Sequence, residues 1–294
     1  MIDPRRLAIV IPIFTGEAQL RRCLASLYSS QDVLFTIYLV NHAASDEISQ
    51  WVGSEFPDVR CIRGYPDLWW AEASNLGIKQ ALEDGNQYVM LLNHDCYVRS
   101  NTVSLLLKHA LSNPRSLVAP AQHRLQSGIT TYTASTCFLL GFPTLVWPGW
   151  VAHKVQRKKN GLISTKLILG GRGTLIDARI FLAVGLLDSQ HFPHYGADHD
   201  FYLRCRKNGY QLFVSTDAIV DVDDTKTSLA SSPKALSFRE FKRTFTDRRS
   251  HRNVKDLYSL FSRYYPVPLL AGVGVAFNLA RYTILFIFGR LFRN

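Results

Sequence analysis

Residues 88–98 read YVMLLNHDCYV, a run of strand-forming residues that ends in the polar triplet Asn93-His94-Asp95. A continuous apolar run is typical of a strand that is buried on both faces of a parallel sheet. Asn and Asp also favour ordinary strand-to-turn boundaries, so the triplet alone is compatible with a simple turn. Its side chains are a carboxylate and two other groups that can bind a metal ion. The strand end therefore predicts either a turn or a metal-binding corner.

Strands and helices alternate along the first hundred residues. Leu7–Ile13 is another continuous apolar run, and residues 35–40 and 59–62 are also predicted to form strands. Between these strands, apolar residues recur at helical spacing after residue 16, after residue 46 and over residues 71–82. This alternation predicts an α/β fold with a doubly wound, Rossmann-like and mostly parallel sheet.

Polar segments follow the predicted strands. They are Thr15-Gly16-Glu17, residues 41–46 and the triplet at residues 93–95. In sheets of this kind, ligands bind beyond the carboxyl ends of the strands. We therefore expect the three segments to form a single polar rim that binds a ligand.

A second acidic segment lies in residues 193–210, PHYGADHDFYLRCRKNGY. Asp198 and Asp200 stand at the start of a predicted helix that ends at Gly209, and residues 210–215 predict a further strand. An aspartate here can be an ordinary helix cap or a base that takes a proton from an attacking alcohol. With an unperturbed pKa of about 3.9 it would be ionised at neutral pH, as a base must be.

Residues 123–165 are less regular than the segments on either side. They contain two tryptophans around Pro148 and a basic run at residues 154–159. We interpret this segment either as a mobile loop over the site or as a solvated connection.

The composition indicates a globular protein of the cytosol. A chain of 294 residues, 47% of them hydrophobic, can build one large α/β domain or two modest ones. The five cysteines are scattered and include no Cys-x-x-Cys pair, which predicts neither a disulfide framework nor a thiolate zinc site. We expect no secretion signal, because the apolar run after Arg5-Arg6 is short and contains Pro12.

The net charge of +11 is concentrated in residues 231–294, here called the tail. The tail carries twelve Lys or Arg and three acidic residues, so the rest of the chain is close to neutral. A nucleic-acid-binding arm would also be basic, but it would not need the apolar stretch at residues 267–288. The combination predicts contact with an anionic membrane surface through residues 234–294, and no nucleic-acid partner.

The tail is also predicted to be helical. Apolar residues share one helical face in residues 238–245 and again in residues 254–261. Residues 267–288 are long enough to cross about 30 Å of hydrocarbon. Asn278 and Arg281 interrupt that stretch. We expect an interfacial or re-entrant helix in preference to a spanning one. A soluble helix packed on the core is the remaining alternative.

Six segments resemble the motifs of one known family. They are, in order, IVIPIF with Glu17, LVNHAASDE, LWWAEASNLGIKQAL, YVMLLNHD, GGRGTLI and GADHDFYLRCRKNGY. Their order and separations resemble those of family 2 glycosyltransferases with the GT-A fold, over roughly residues 7–227. The resemblance implies a catalytic domain at residues 1–230, followed by a basic, helical, membrane-associating tail.

The resemblance also implies roles for individual positions. Asp95 would bind a Mg²⁺ or Mn²⁺ ion, Asp198 would be the catalytic base, and Asp200 a catalytic partner that positions the acceptor or the helix. A third metal contact would come from Asp221 or Asp223. The donor, a UDP- or dTDP-sugar, would be bound by Pro12, Phe14, Glu17, Asn41, Asp46, Asn75 and Asn93.

The implied activity is that of an inverting, metal-dependent glycosyltransferase at the cytoplasmic face of the cell membrane. It would move a sugar from a nucleotide-diphosphate sugar to a hydroxyl of a glycan or lipid-linked acceptor in cell-surface polysaccharide synthesis. The chain is also compatible with an oligomer.

Departures from the family pattern keep a second interpretation open. Three positions carry a residue other than the type common in the family, namely Asn41, Asn93 and Ala197. The alternative is therefore a catalytically lapsed membrane scaffold or binding protein. Trp69 and Trp70 are interpreted either as a platform for a sugar ring or as core aromatics.

Overall fold

A computed structural model of the protein describes residues 6–30, 33–43, 45–135, 161–223, 225 and 236–291. Most of the irregular segment at residues 123–165 lies outside these described residues. Its two interpretations, a loop over the site and a solvated connection, therefore stay predictions.

Strand β1 (Leu7–Ile13) is the first apolar run of the sequence, and all seven of its residues are buried. Gly16 follows with a φ of 106°, a left-handed conformation that glycine adopts without steric cost. Helix α1 (Glu17–Tyr28) begins directly after Gly16 and buries its leucines and Cys23 beneath the sheet. The predicted strand and helix are both confirmed.

The next elements repeat the alternation of strand and helix. They are β2 (Thr36–Asn41), α2 (Glu47–Glu55), β3 (Arg60–Arg63), α3 (Trp69–Glu83) and β4 (Tyr88–Leu91). The predicted bounds agree with these to within one or two residues. Helix α3 starts two residues earlier than predicted, so both adjacent tryptophans lie in its first turn.

Beyond β4, the chain builds the other half of the sheet. The elements are β5 (Cys96–Val98), α4 (Thr102–Ser112), β6 (Ser116–Arg124), β7 (Thr130–Thr131), β8 (Ala134–Ser135), β9 (Leu162–Thr165), β10 (Leu167–Ile168), β11 (Thr174–Asp177), α5 (Ala178–Val184), α6 (Ala197–Lys207) and β12 (Gln211–Val222). The predicted helix before Gly209 is α6, and the predicted strand after it is β12, which extends further than expected.

The main sheet has the strand order β3-β2-β1-β4-β11-β6-β12-β5. Strands β3, β2, β1 and β4 are parallel, β11 is antiparallel to both neighbours, and β6 pairs in parallel with β12. The predicted mostly parallel sheet is therefore confirmed, with β11 as a reversed insertion. Ile13 lies opposite Asn41, and Val10 lies opposite Leu91. The loops after β1, β2 and β4 consequently leave the sheet at one edge.

Alternate residues of β1 enter two hydrophobic clusters on opposite faces of the sheet. Ala8 and Val10 belong to one cluster, whereas Ile9 and Ile11 belong to the other. Successive side chains of a strand point to opposite faces, so a strand covered on both sides needs a continuous apolar run. Helix α3 packs on the first face, and helices α1 and α4 pack on the second.

The tail contains α7 (Phe238–Arg243), α8 (Val254–Tyr264), a 3₁₀ turn at Pro268–Leu270, and α9 (Ala271–Leu291). The predicted helices of the tail are thus confirmed. Helices α8 and α9 each contribute two buried residues to the cluster that contains Ala8 and Val10. The tail therefore joins the hydrophobic cluster on one face of the sheet, and the predicted boundary at residue 230 lies outside the described residues.

Helix α9 is held to the protein near both of its ends. Gly274 lies so close to the rings of Tyr265 and Phe261 that a Cβ atom would have no room. Near the other end, Phe286 stacks on Phe241 of α7, with ring centroids 4.1 Å apart. By length and composition, Pro268–Leu291 is long and apolar enough to cross a membrane, and most of it is not buried in the protein.

Gly77 tests how closely α3 approaches the sheet. A Cβ atom there would lie 2.5 Å from Val10 Cγ1 and 3.0 Å from Val40 Cγ2. Because the added methyl group overpacks this contact, Gly77→Ala should lower the free energy of unfolding by about 1–3 kcal/mol, measured by urea denaturation.

Gly53→Ala is the matched control for this substitution. Nothing lies within 4 Å of a Cβ atom at Gly53 in α2, and alanine favours a helix by up to about 1 kcal/mol relative to glycine. The control should therefore be as stable as the wild type or more so. Wild-type stability of the Gly77→Ala variant would contradict the close packing.

Candidate active site

The three polar segments that follow β1, β2 and β4 lie together. A Cβ atom on Gly16, after β1, would come 2.8 Å from Nε2 of His94, after β4. The ring of Phe14 contacts His42, after β2, with ring centroids 5.4 Å apart. The predicted polar rim is therefore confirmed as a structural unit.

Trp70 joins this rim to the glycine segment before β11. Its indole Nε1 donates a hydrogen bond to Asn93 Oδ1 at 2.9 Å. Its ring also packs on Gly171, where a Cβ atom would lie 2.8 Å from the indole. Trp70 therefore forms part of the wall of the site, and Asn93 presents its side-chain oxygen to the protein.

Of the two aspartates near the end of β12, Asp223 is the one that forms a hydrogen bond with Asp95. Its backbone N–H donates to the Asp95 carbonyl at 2.9 Å. Hydrogen bonds from Thr225 and from the Tyr97 hydroxyl hold the pKa of its carboxyl below the usual range. Asp221 lies two positions earlier and is paired with Arg99 at 2.9 Å. Of the two predicted alternatives for a third metal contact, the geometry therefore favours Asp223.

The groups at this corner fit a hard divalent cation. Asp95 is partly exposed, and Asp223, bonded to it through the backbone, supplies a second carboxylate at this corner. Within the described residues, no set of three His, Cys, Asp or Glu side chains is assembled to enclose a metal ion. Mg²⁺ commonly binds one or two carboxylates together with substrate phosphates, so two carboxylates suffice when the substrate completes the coordination.

Helix α6 gives its two aspartates different environments. Gly196, with a φ of 91°, precedes the helix. Asp198 stands in the first turn, is partly exposed, and accepts a hydrogen bond from the backbone N–H of His199 at 2.8 Å. Asp200 is completely buried. Asp198 is thus the one of the pair that is open to a substrate.

Asp200 connects α6 to the tail. Its oxygens accept hydrogen bonds from Arg204 Nε at 2.7 Å, from Arg263 at 2.9 Å and from the Tyr264 hydroxyl at 2.7 Å. Arg263 also binds Asp188 at 2.7 Å. A carboxylate without solvent exposure cannot contact a substrate. Of the two predicted roles of Asp200, its burial therefore favours positioning of the helix over contact with the acceptor.

Tyr195 lies where the acidic segments meet. Burial raises the pKa of its hydroxyl, Arg172 opposes this shift, and Asp198 and Asp95 add to it. Its ring contacts His194, with ring centroids 4.6 Å apart, and His251 of the tail, with ring centroids 6.0 Å apart.

Tyr202 of α6 donates to the Gly170 carbonyl at 3.3 Å, and Trp70 joins Gly171 to Asn93. The fold thus brings the segments that carry Asp95 and Asp198 together although they are far apart in the sequence.

Two of the asparagines predicted to bind the donor are buried. The amide of Asn41 donates to Ser49 at 2.9 Å and accepts from the Ala43 backbone at 3.1 Å. The amide of Asn75 donates to the Leu187 carbonyl at 3.0 Å and accepts from its N–H at 3.1 Å. In this structure both side chains fix the shape of loops around the site.

The other predicted donor residues line the edge of the sheet. Pro12 is buried at the end of β1, and Phe14 is 44% exposed. Glu17 and Asp46 are exposed, and each forms an ion pair with a neighbouring arginine. Exposed ion pairs contribute little to stability. A ligand could therefore displace the arginine from either carboxylate at a small energetic cost.

Two histidines near the site are held uncharged. Burial lowers the pKa of His42 to about 4, with further contributions from His194 and His94. Burial also lowers the pKa of His194. Both rings are therefore neutral at pH 7, and the positive charge of the site comes from arginines.

Sequence reasoning gave Arg172, Tyr195 and the loop at residues 246–253 no role in the site. Arg172 stands inside a segment that carries a family motif and Tyr195 directly precedes another, so their position was a usable signal. The loop contacts Tyr195 through His251, with ring centroids 6.0 Å apart. Nothing local in the sequence indicates that contact, because it depends on how the tail folds back.

A model of the family described as Glycosyl transferase family 2 matches residues 8–174. This match covers more than half of the 294 residues. The protein therefore belongs to the glycosyl transferase family 2.

Among curated proteins, the chain is similar to the uncharacterized proteins Rv1525 of Mycobacterium tuberculosis and Mb1552 of Mycobacterium bovis. Each is 28% identical to it over 170 residues, which cover 55% of this chain and 56% of the relative. The chain thus spans about half the length of these relatives.

Two solved structures share the fold. S. aureus TarS (residues 1–349) in complex with UDP-GlcNAc is 12% identical, with a TM-score of 0.59, and the match covers 97% of this chain and 92% of TarS. GalNAc-T7 with UDP, GalNAc and Mn²⁺ is 13% identical, with a TM-score of 0.59, over 92% of this chain and 55% of that one. The predicted GT-A fold is confirmed by this likeness.

The buried network predicts different effects for the two aspartates of α6. Asp200→Asn leaves Arg204 without its carboxylate and leaves Arg263 with Asp188 alone. Because both arginines are partly exposed, the loss should be at the low end for buried ion pairs, about 2–3 kcal/mol in the free energy of unfolding. Urea denaturation measures it.

Asp198→Asn is the matched control within the same helix turn. Its carboxylate is partly exposed and forms no ion pair among the described residues. Its free energy of unfolding should stay within about 0.5 kcal/mol of the wild type. Equal losses in the two variants would refute the positioning role of Asp200.

Proposed function

We propose that this protein is an inverting glycosyltransferase that moves a sugar from a nucleotide-diphosphate sugar to a hydroxyl of an acceptor. The observation that carries the proposal is that the glycine segment contacts both acidic segments, through Trp70 and Asn93 on one side and through Tyr202 of α6 on the other. Transfer from a nucleoside diphosphate needs a ligand for a cation, a base for the attacking hydroxyl and positive charge for phosphate. The family and the fold agree with this chemistry.

Asp95 and Asp223 would hold a Mg²⁺ or Mn²⁺ ion at the carboxyl end of β4. When bound, the cation would neutralise the charge that develops on the departing nucleoside diphosphate. A UDP-sugar is favoured over a dTDP-sugar as the donor, because TarS was solved with UDP-GlcNAc and GalNAc-T7 with UDP and Mn²⁺.

Asp198 acts as the general base in this proposal. Its carboxylate takes the proton from the acceptor hydroxyl while the hydroxyl oxygen bonds to the anomeric carbon. The bond from that carbon to the diphosphate breaks on the opposite face, so the configuration inverts without a covalent enzyme intermediate. General-base assistance is typically worth about 10² to 10⁴ in rate.

Two aspartate variants separate donor binding from turnover. The wild type should bind UDP more tightly with Mn²⁺ than with EDTA in a calorimetric titration, and should turn over a member of a nucleotide-sugar panel. Asp95→Asn should abolish the effect of Mn²⁺ on UDP affinity. Asp198→Asn should reduce turnover by about 10² to 10⁴ and leave UDP affinity unchanged.

The same measurements define failure. If Mn²⁺ does not change UDP or dTDP affinity of the wild type, the metal-dependent enzyme proposal is wrong. If Asp198→Asn turns over donor at a near wild-type rate, another residue is the base.

A catalytically lapsed scaffold is the second candidate function. The Asn93 oxygen is occupied by Trp70, and the Asn41 amide is used within its own loop. A scaffold of this kind would bind nucleotide without consuming a donor. Turnover of any nucleotide sugar that Asp198→Asn removes would eliminate it.

We propose in addition that the tail attaches the protein to the cytoplasmic face of an anionic membrane. Exposed apolar side chains cover the outer face of α9 and the turn before it, namely Leu269, Leu270, Val273, Phe277, Ile284, Ile287, Phe288 and Leu291. Contiguous apolar surface of this extent is uncommon on soluble monomers. Basic side chains of the tail would add attraction to anionic lipids, and the location suits a lipid-linked acceptor of cell-surface polysaccharide synthesis.

Helix α9 lies along the membrane surface in this proposal. Its buried stripe includes Ala271, Gly274, Asn278 and Phe286, which spread over most of its length. Asn278 is 1% exposed. A spanning orientation would withdraw these residues from the protein, whereas an interfacial orientation keeps them buried and immerses only the outer face.

Single substitutions on the outer face of α9 test membrane attachment. Phe277→Glu and Ile287→Glu should each lower co-sedimentation with phosphatidylserine-containing vesicles about tenfold or more, because each removes the burial of one large apolar side chain. Leu182→Glu is the control, since Leu182 in α5 is 76% exposed and lies outside the tail. Deletion of the whole tail is a poorer test, because α8 and α9 contribute to the core.

Three outcomes of the vesicle experiment are informative. Wild-type protein released from vesicles by alkaline carbonate supports the interfacial orientation, and resistance to release indicates a spanning helix. Absence of vesicle binding, together with a dimer that Phe277→Glu abolishes, would assign this face to a second copy of the chain.

A further inference from the structure

The loop between α7 and α8, residues 246–253, is here called the tail loop. Hydrogen bonds and buried side chains fix its conformation. Asn253 Nδ2 donates to the Thr246 carbonyl at 3.0 Å, and Asn253 Oδ1 caps the first turn of α8. Ser250 is fully buried, and Arg252 is 2% exposed. These contacts give the loop a defined shape from which a side chain can be presented.

The tail loop lies between α9 and the candidate active site. His251 contacts Tyr282 of α9 with ring centroids 5.9 Å apart, and it contacts Tyr195 on its other side at 6.0 Å. The Arg252 guanidinium lies 4.7 Å from the centroid of the Tyr282 ring. The loop therefore forms one wall of the site around Tyr195.

Arg249 is the exposed arginine at the edge of this wall, over Trp69. Its guanidinium carbon lies 6.0 Å from the centroid of the Trp69 ring. Trp69 has a φ of 54°, a left-handed conformation that is strained for a non-glycine residue and is often found at functional sites. The same ring contacts His194 with centroids 5.8 Å apart.

The segment before α6 is tied to the start of α3. The Ala71 N–H donates to the Pro193 carbonyl at 3.0 Å. Arg249 lies over Trp69, and Trp69 contacts His194, which precedes Asp198 by four residues. The guanidinium of Arg249 therefore lies on the side of the site where the proposed base stands.

The charge of Arg249 is available to a ligand. The nearest acidic residue of the tail loop, Asp247, is paired with Arg243 at 2.9 Å. Over residues 6–291, in the parts that the structure describes, no carboxylate forms an ion pair with the Arg249 guanidinium. A guanidinium in this state binds phosphate or carboxylate with two parallel hydrogen bonds.

We propose that Arg249 binds an anionic group of the acceptor, a phosphate or a carboxylate close to the hydroxyl that Asp198 deprotonates. The proposal rests on the proposed function, because that function assigns the Asp198 side of the site to the acceptor. The tail thereby contributes a specificity-determining residue to the α/β domain, and an acidic acceptor is bound in preference to a neutral one.

Calorimetric titration of the full chain with three small probes tests this proposal. The probes are phenyl phosphate, glucuronate and neutral methyl glucoside, each titrated with and without saturating UDP and Mn²⁺. The wild type should bind at least one anionic probe and bind methyl glucoside more weakly. Arg249→Gln should weaken anion binding about 10- to 100-fold, as expected for a charged hydrogen bond.

Two further variants serve as controls. Arg239→Gln removes another exposed arginine of the tail, in α7, and should leave anion binding unchanged. Arg249→Lys keeps the charge but loses the planar fork, so it should bind with intermediate affinity. A larger effect on phenyl phosphate than on glucuronate identifies a phosphate-bearing acceptor, and the reverse identifies a carboxylate.

The remaining outcomes overturn the proposal. One is anion affinity that is absent in the wild type or unaffected by Arg249→Gln. Another is an equal loss of UDP affinity in that variant, which would assign Arg249 to the donor. Failure of the proposed function is recognised separately, because wild-type UDP affinity would then be independent of Mn²⁺ while the titrations without nucleotide still decide the role of Arg249.

Discussion

The carboxylate of Asp200 is withdrawn completely from water, and it is stabilised there by Arg204, Arg263 and the Tyr264 hydroxyl. A buried charge is tolerated only when its hydrogen bonds are satisfied, so the three donors have to lie within hydrogen-bond distance of this carboxylate. Two of them belong to α8, at the far end of the chain. The bonds thus join the helix that carries Asp198 to the tail, and the position of the candidate base depends on both.

The reversed strand β11 has a related part in assembling the site. It lies between β4 and β6, and the glycine segment that enters it packs directly beside the end of β4. Gly171 permits the indole of Trp70 to approach, and Gly173 has a φ of 88° beside Pro120. A side chain at Gly171 would separate Trp70 from the segment. The close approach explains how Asn93, Trp70 and Arg172 come to border one space.

The tail links the chemistry of the proposed enzyme to its location. One side of the tail joins the hydrophobic cluster that contains Ala8 and Val10 and contacts Tyr195, and the outer face of α9 is apolar and exposed. In the proposed arrangement, the same structural unit would hold the protein at a membrane and place Arg249 beside the acceptor. A lipid-linked acceptor would then meet the base and the arginine at the surface on which it is anchored.

Local patterns in the sequence were sufficient for the elements of the first half and for the helices of the tail, because hydrophobic periodicity follows directly from helix and strand geometry. They also located the polar rim and both acidic segments. They did not distinguish Asp221 from Asp223, because that choice depends on the pairing of β12 with β5. Nor did they reveal that Asp200 is buried or that the tail loop reaches Tyr195. Those contacts join residues far apart in the chain, and only the packed tail brings them together.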